Sequence, residues 1–280
     1  MLNHRKAYAA ALATVVLALG PAVAGCSQSG GSPKPAPPSD APQARTTTSY
    51  TASRADSGTP TAEDMRTTAA RLRERAGSLG LKDTDVSVAG SVVTIKARRA
   101  DSDRVAQMTA TALLEFRPVL DPATAAQKGL EQAYGALVCD GSTRTLTSLP
   151  DGPGVACDHR MKEKYLLGPT ALPGTDVESA TAAFDSANGS GWVVNLTFTP
   201  AGSAQFSQVT GTLSQNATPT NQFAIVVDGE VVSAPAVYSA ITGGEARISG
   251  SFTRDGAENL AAALSSGALP VQLVAKGTKQ

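Results

Sequence analysis

Histidine is almost missing from this 280-residue chain, which has two copies, His4 and His159. Once the N-terminal leader is set aside, a metal centre built on two imidazoles has no ligand pair. A Ser-His or Cys-His relay has one candidate base in the whole remainder. His159 stands in Asp158-His159-Arg160-Met161-Lys162, a polar run that reads as a solvated loop. Net charge is also lacking, since 24 basic residues balance 24 acidic ones. That argues against a dedicated nucleic-acid binder, which needs excess cations to displace counterions from phosphates. Aromatic residues are 4% of the chain, so the core must be a light one of Val, Leu, Ile and Ala. No Gly-rich phosphate loop occurs: Gly30-Gly31 and Gly243-Gly244 lack the strand-then-helix setting such a loop needs. No cofactor, metal or catalytic residue is assigned. Asp228 and Glu230 are conceivable as an acid and a base, but Asp228-Gly229 reads more simply as a hairpin turn.

Long apolar runs are missing too, with one exception. After Arg5 and Lys6, Ala7–Gly20 is apolar except for Tyr8 and Thr14, and small residues lead on to Cys26. This is the pattern of a signal peptide, residues 1–25, and the run is too short to cross a bilayer comfortably. Val23-Ala24-Gly25-Cys26 resembles a bacterial lipobox, and the resemblance implies that Cys26 is lipidated after cleavage. The expected product sits on the extracytoplasmic face of the cell membrane through a lipid anchor. Firm attachment needs more than one acyl chain. The other two cysteines, Cys139 and Cys157, form an even pair in an exported chain and read as a disulfide worth roughly 3 kcal/mol by loop closure. A metal site is the alternative, but only His159 lies near, and metal sites want close ligand pairs.

Residues 26–60 are rich in Ser, Gly, Pro, Thr and Ala and read as a disordered tether with a reach of roughly 30–35 Å. Within it, only Thr48–Ser53 has the makings of a strand, at a sheet edge. Thr61 with Asp64 three residues on marks a helix start. Met65, Ala69, Leu72, Ala76 and Leu79 follow as one apolar stripe, and Gly80 ends it. Arg66, Arg71, Arg73 and Arg75 fall on the solvated faces. Val86–Val88 and Val92–Ile95 flank a Gly-containing turn, a helix follows from about Asp101 to Thr111, and Leu113–Val119 reads as a strand. That order, α-β-β-α-β, lacks one preceding strand to make a ferredoxin-like sandwich over 61–120. Residues 121–173 read as an irregular connector holding the cystine. A second unit, 174–266, has a strand at Trp192–Phe198 and a helix at Ala201–Leu213. A hairpin around Asp228-Gly229, a strand at Ala246–Phe252 and a helix through Leu260 and Leu264 follow. Residues 267–280 supply a return strand and tail.

Several stretches resemble one family. Met65–Gly80 with Leu113-Leu114-Glu115-Phe116-Arg117 is similar to the opening of the first extracytoplasmic (P1) domain of SecD, a protein-export subunit. Ala224–Gly229 with Val232-Ser233-Ala234-Pro235, and Ile241–Gly244 with Ile248–Phe252, resemble that domain's head. Leu260–Leu264 with Gly267-Ala268-Leu269-Pro270 resembles the exit from it. The resemblance implies an α+β fold with antiparallel sheets: a ferredoxin-like base subdomain with an inserted α+β head subdomain. It departs from the family in two places. The Gly-rich strand that opens the family's domain has no match before Thr61. The chain also stops ten residues after Pro270, without the intramembrane carboxylates and arginines that would carry protons.

What the resemblance implies about function is therefore the grip without the motor. The expectation is a membrane-anchored lipoprotein that binds exported polypeptide or assists export beside the Sec translocon. Such a protein would hold extended chain in a groove between base and head or on a sheet edge. The candidate edges are Trp192–Thr197 and Val231–Tyr238, and the candidate contact aromatics are Trp192 and Tyr238. An envelope interaction lipoprotein with a native partner protein is the alternative.

Overall fold

The Thr-rich stretch ahead of the first expected helix is a strand, β1 (Arg45–Ser53), as its β-branched composition favours. The computed structural model describes residues 44–55, 58–140, 146–148, 152–158 and 160–279. The leader, Cys26, most of the tether and His159 lie outside them.

Helix α1 (Ala62–Ser78) opens with a reciprocal capping box. The Asp64 N–H donates to the Thr61 hydroxyl at 3.1 Å, and the Thr61 N–H donates to the Asp64 carboxylate at 2.9 Å. Its stripe of Met65, Ala69, Leu72 and Ala76 is buried, and so is Leu79 just past its end. The hairpin β2 (Asp85–Ala89) and β3 (Val92–Arg98) follows, then the short α2 (Ser102–Met108). The next strand, β4 (Leu114–Pro118), is expected to close the first sheet and does not. The closing strand is β14 (Gln272–Lys279), from the far end of the chain.

The first sheet has the order β14-β1-β3-β2 with every neighbour antiparallel. β3 lies between β1 and β2, and β1 between β14 and β3, so the sheet interleaves two split β-α-β units. β1 is thus an interior strand and neither an edge nor part of a tether. We call this sheet with α1 and α2 the base. Its core joins Tyr50, Leu72, Val86, Val93, Ile95, Val105 and Met108.

Between β4 and β14 the chain builds the remainder. The connector has the short helix α3 (Glu131–Ala136) and a small sheet of β5 (Thr147–Ser148), β6 (Gly154–Asp158) and β7 (Glu163–Leu167). It is therefore less irregular than its Asp-, Gly- and Pro-rich sequence implies. Beyond it come β8 (Leu172–Pro173), β9 (Val177–Asp185), β10 (Gly191–Phe198), α4 (Pro200–Leu213), β11 (Phe223–Val227), β12 (Glu230–Ser233), β13 (Glu245–Phe252) and α5 (Arg254–Ser266). They form two more sheets, β12-β11-β4-β8 and β13-β10-β9.

The few aromatic residues are concentrated where these sheets meet. Phe116, Phe198, Phe206 and Phe223 pack with ring centroids 4.7–5.9 Å apart. Each such side chain contributes about 1.5–3 kcal/mol by burial. α5 serves two cores: Ala262 packs into the base, while Ala257, Ala261 and Leu264 pack beside the phenylalanines. α4 begins against the turn ahead of β9, where a β-carbon on Gly202 would come within 2.6 Å of the Asp176 carbonyl oxygen.

Candidate functional site

Two chain crossings join the base to the rest: 109–113 outward and 266–271 on the return. They are tied by a hydrogen bond from the Leu269 N–H to the Thr111 carbonyl, 2.8 Å. Arg75 grips both. Its side chain is 0% exposed, not on a solvated face as its place in the helix pattern suggests. The guanidinium donates to the carbonyls of Met108 (2.8 Å), Ala110 (2.5 Å) and Gly267 (2.9 Å) and to the Ser266 hydroxyl (2.9 Å). Longer bonds reach Thr111 and Ala263. These include carbonyls at the ends of α2 and α5, where the backbone ladder runs out of donors; at the α5 end the Ser266 hydroxyl shares Ala263 and Gly267 with the guanidinium. Burial lowers the Arg75 pKa to about 10, and the Asp228 charge opposes that shift, so the group stays cationic at neutral pH.

Asp228 holds the outward crossing. Its carboxylate accepts from the N–H groups of Ala112 (2.9 Å) and Leu113 (2.8 Å), and its own N–H donates to the Leu113 carbonyl. It occupies the left-handed region at φ 50, followed by Gly229 at φ 83, in the β11–β12 hairpin. Both carboxylate oxygens are engaged by backbone, so Asp228 is an anchor as well as a turn residue. The sequence shows the turn but gives no sign of its distant partners.

Strand β9 forms although its Ala- and Ser-rich sequence carries little strand signal. It makes β10 the middle strand of its sheet, so Trp192–Thr197 is not an edge. β12 is an edge, but the Arg160 guanidinium donates to the Val232 carbonyl there. Trp192 is half-buried against the phenylalanine-centred core. The Phe184 ring lies edge-on to Trp192 at 5.6 Å, and the Arg254 guanidinium sits 5.8 Å from the indole centroid. Phe184 is 60% exposed and Tyr238 82% exposed.

The structure does not bring Trp192 and Tyr238 together. Trp192 pairs with Phe252 at one end of β10. The Tyr238 loop returns through Glu245, opposite Thr197 at the other end, and is fixed by an Ile241 N–H bond to Thr210. Phe184 is the aromatic neighbour that sequence reasoning missed. Alternation of Ala180, Ala182 and Phe184 against Thr181 and Asp185 is the one faint signal of it.

Beside β9 runs a cleft of about 460 Å³, lined by Leu79, Gly80 and Arg104 from the base and by Ala182, Glu258 and Ala261. The Arg104 side chain donates to the Leu79 carbonyl at 2.9 Å and lies 3.8 Å from Glu258. Cys139 and Cys157 are joined as a disulfide, Cα atoms 5.4 Å apart, fastening α3's exit to β6. Among the described residues no group of three or more His, Cys, Asp or Glu side chains is placed to hold a metal ion.

Residues 154–271, from β6 through α5, match the family model of the SecDF P1 head subdomain. The chain is 46% identical over 149 residues to the protein translocase subunit SecD of Streptomyces coelicolor, covering 51% of this chain and 26% of that protein. It is 34% identical over 227 residues to the protein translocase subunit SecDF of Thermus thermophilus, covering 78% of this chain and 28% of the relative. A solved structure described as SecDF, a membrane component that enhances protein export, superposes with a TM-score of 0.56 at 29% identity. That match covers 82% of this chain and 98% of the solved one. Fold and matches define the class: an α+β domain of the kind carried by protein-translocase subunits. The chain carries a P1 domain of the SecD/SecDF family. It spans about a quarter of the length of these two curated relatives.

Proposed function

We propose that this P1 domain binds exported polypeptide in extended form on the extracytoplasmic side of the membrane and so assists protein export. The observation that carries the reading is the cleft between base and outer sheet, lined on one side by Ala180–Ala182 of β9, the strand that two residues on carries the exposed Phe184 against Trp192. An unfolded chain offers side chains and unpaired backbone together, and a cleft bordered by a sheet edge and an aromatic meets both. The relatives' role in translocation supports the same reading. Binding, not catalysis, fits the carboxylate most open to a catalytic reading, since Asp228 is committed to the backbone of the crossing. Among the described residues no helix is long and apolar enough to cross a membrane. Acylation of Cys26 is the proposed means of attachment, and the Sec translocon the proposed neighbour.

The test is binding of a permanently unfolded secretory protein, reduced and carboxymethylated α-lactalbumin, measured by fluorescence anisotropy beside its native form. Saturable binding of the unfolded form alone supports the proposal. Equal binding of both forms, or of neither, overturns it. Attachment is read separately, by alkyne-fatty-acid labelling of cells: label on the wild type and none on Cys26→Ala.

A further inference from the structure

Every sheet with a free side needs some protection against stray pairing, because an edge strand offers a row of unpaired N–H and C=O groups. Most edges here are guarded. Arg160 takes the Val232 carbonyl on β12, and the Arg73 side chain takes the Val86 carbonyl on β2. β13 carries Glu245 and Arg247, β7 carries Glu163 and Lys164, and β14 carries Lys276.

β9 differs. Its Ala180 N–H donates to the Ser265 hydroxyl, which donates in turn to the Ala180 carbonyl, both at 2.9 Å. The backbone of Ala180 therefore faces away from β10, and with the two-residue period of a strand so does that of Ala182 and Phe184. Thr181 and Ala183 pair inward with Asn195 and Val193. From Thr181 to Phe184 the strand holds no charge and no proline. Its far end is fixed at Asp185, which accepts from Arg247 at 2.8 Å and from Asn188. The open edge is thus short and bounded, closed by Ser265 at one end and by this polar cluster at the other.

We propose that the free edge of β9 at Ala182 and Phe184 is a strand-addition site for an extended segment of unfolded polypeptide. This rests on the polypeptide-binding reading above and names where and how the chain is held. The guest exchanges backbone hydrogen bonds with Ala182 and Phe184, which makes recognition tolerant of sequence. Its alternate side chains point to the core side of the sheet. There they meet the Phe184 ring at one end and the cleft over Leu79 and Ala261 at the other. Small or β-branched apolar residues at alternate positions fit this surface, and proline at a paired position does not.

The experiment uses the folded chain with a fluorescein-labelled twelve-residue peptide of alternating Val and Thr, one Lys at each end, beside the unfolded α-lactalbumin probe. Ala182→Pro deletes the outward N–H without touching the β9–β10 ladder. It is expected to weaken binding of both probes at least tenfold, with unchanged circular dichroism. Phe184→Ser is expected to weaken it about threefold to tenfold. The same peptide N-methylated at every residue between its two lysines has no donor on either edge; it tests the idea on the unaltered chain, whatever the fold of the variant, and is expected to lose binding. If the wild type binds and both Ala182→Pro and the N-methylated peptide bind equally well, strand addition is wrong while polypeptide binding stands. If the wild type binds neither probe, the functional reading itself fails. If sedimentation shows a dimer that Ala182→Pro dissolves, a second copy occupies the edge and the proposal is overturned.

Discussion

Removing the Arg75 guanidinium is the sharpest test of how the two crossings are held. Arg75→Met keeps most of the apolar stem and deletes every donor. Four bonds of 2.9 Å or shorter disappear. Three of their acceptors are carbonyls, and leaving buried carbonyls without a donor costs about 1–3 kcal/mol each. Part of that is offset, because the variant no longer has to strip water from a cation. Three such carbonyls less that offset give an expected loss of about 3–5 kcal/mol. For a folded unit of this size it lowers the midpoint of thermal unfolding by roughly 6–20 °C. Urea unfolding is followed by far-UV circular dichroism and by the fluorescence of Trp192, the single tryptophan of the chain. The fluorescence reports the outer sheet, so a second effect is visible: the two signals, coincident in the wild type, separate in the variant. Arg75→Lys is the control. One ammonium cannot reach the Met108 and Gly267 sides together, so it recovers less than half the loss. A loss below about 1 kcal/mol for Arg75→Met, with coincident transitions, refutes the reasoning.

Reducing the Cys139–Cys157 bond, whose residues are 18 apart, removes about 3 kcal/mol of loop-closure stabilisation. Calorimetry with and without reductant should show this, and the Cys139→Ser/Cys157→Ser double variant should show no reductant effect. Gly202→Ala is expected to destabilise by about 1–3 kcal/mol, because the new methyl meets the Asp176 backbone; denaturant midpoints check this. The Asp64 carboxyl is held below its ordinary value chiefly by the Thr61 N–H, then by the Thr61 hydroxyl. Its stabilising effect is therefore present above the ordinary carboxylate pKa and lost as pH falls through the lowered one. Asp64→Asn should lower helix content near neutrality, and a circular-dichroism titration should show the difference from wild type shrinking as pH falls through the lowered Asp64 pKa.

The sequence by itself determined the local elements with strong periodic or turn signals. The Met65–Leu79 stripe, the Thr61 cap, the Asp228-Gly229 hairpin and the second-unit helices need only neighbours a few residues away. The family was legible for the same reason, since its motifs are short runs in a fixed order. Tertiary structure decided which strands share a sheet. β4 leaves the base and β14 completes it because pairing depends on partners more than a hundred residues distant, which no local pattern encodes. It also decided the fate of polar residues. Arg75 looks like any surface arginine until the ends of α2 and α5 surround it, and Asp228 looks like a turn until the crossing supplies two N–H donors. β9, with its Ala-rich composition, is a strand only because β10 pairs with it, and its uncharged edge stands out only against the guarded edges of β2, β7, β12, β13 and β14.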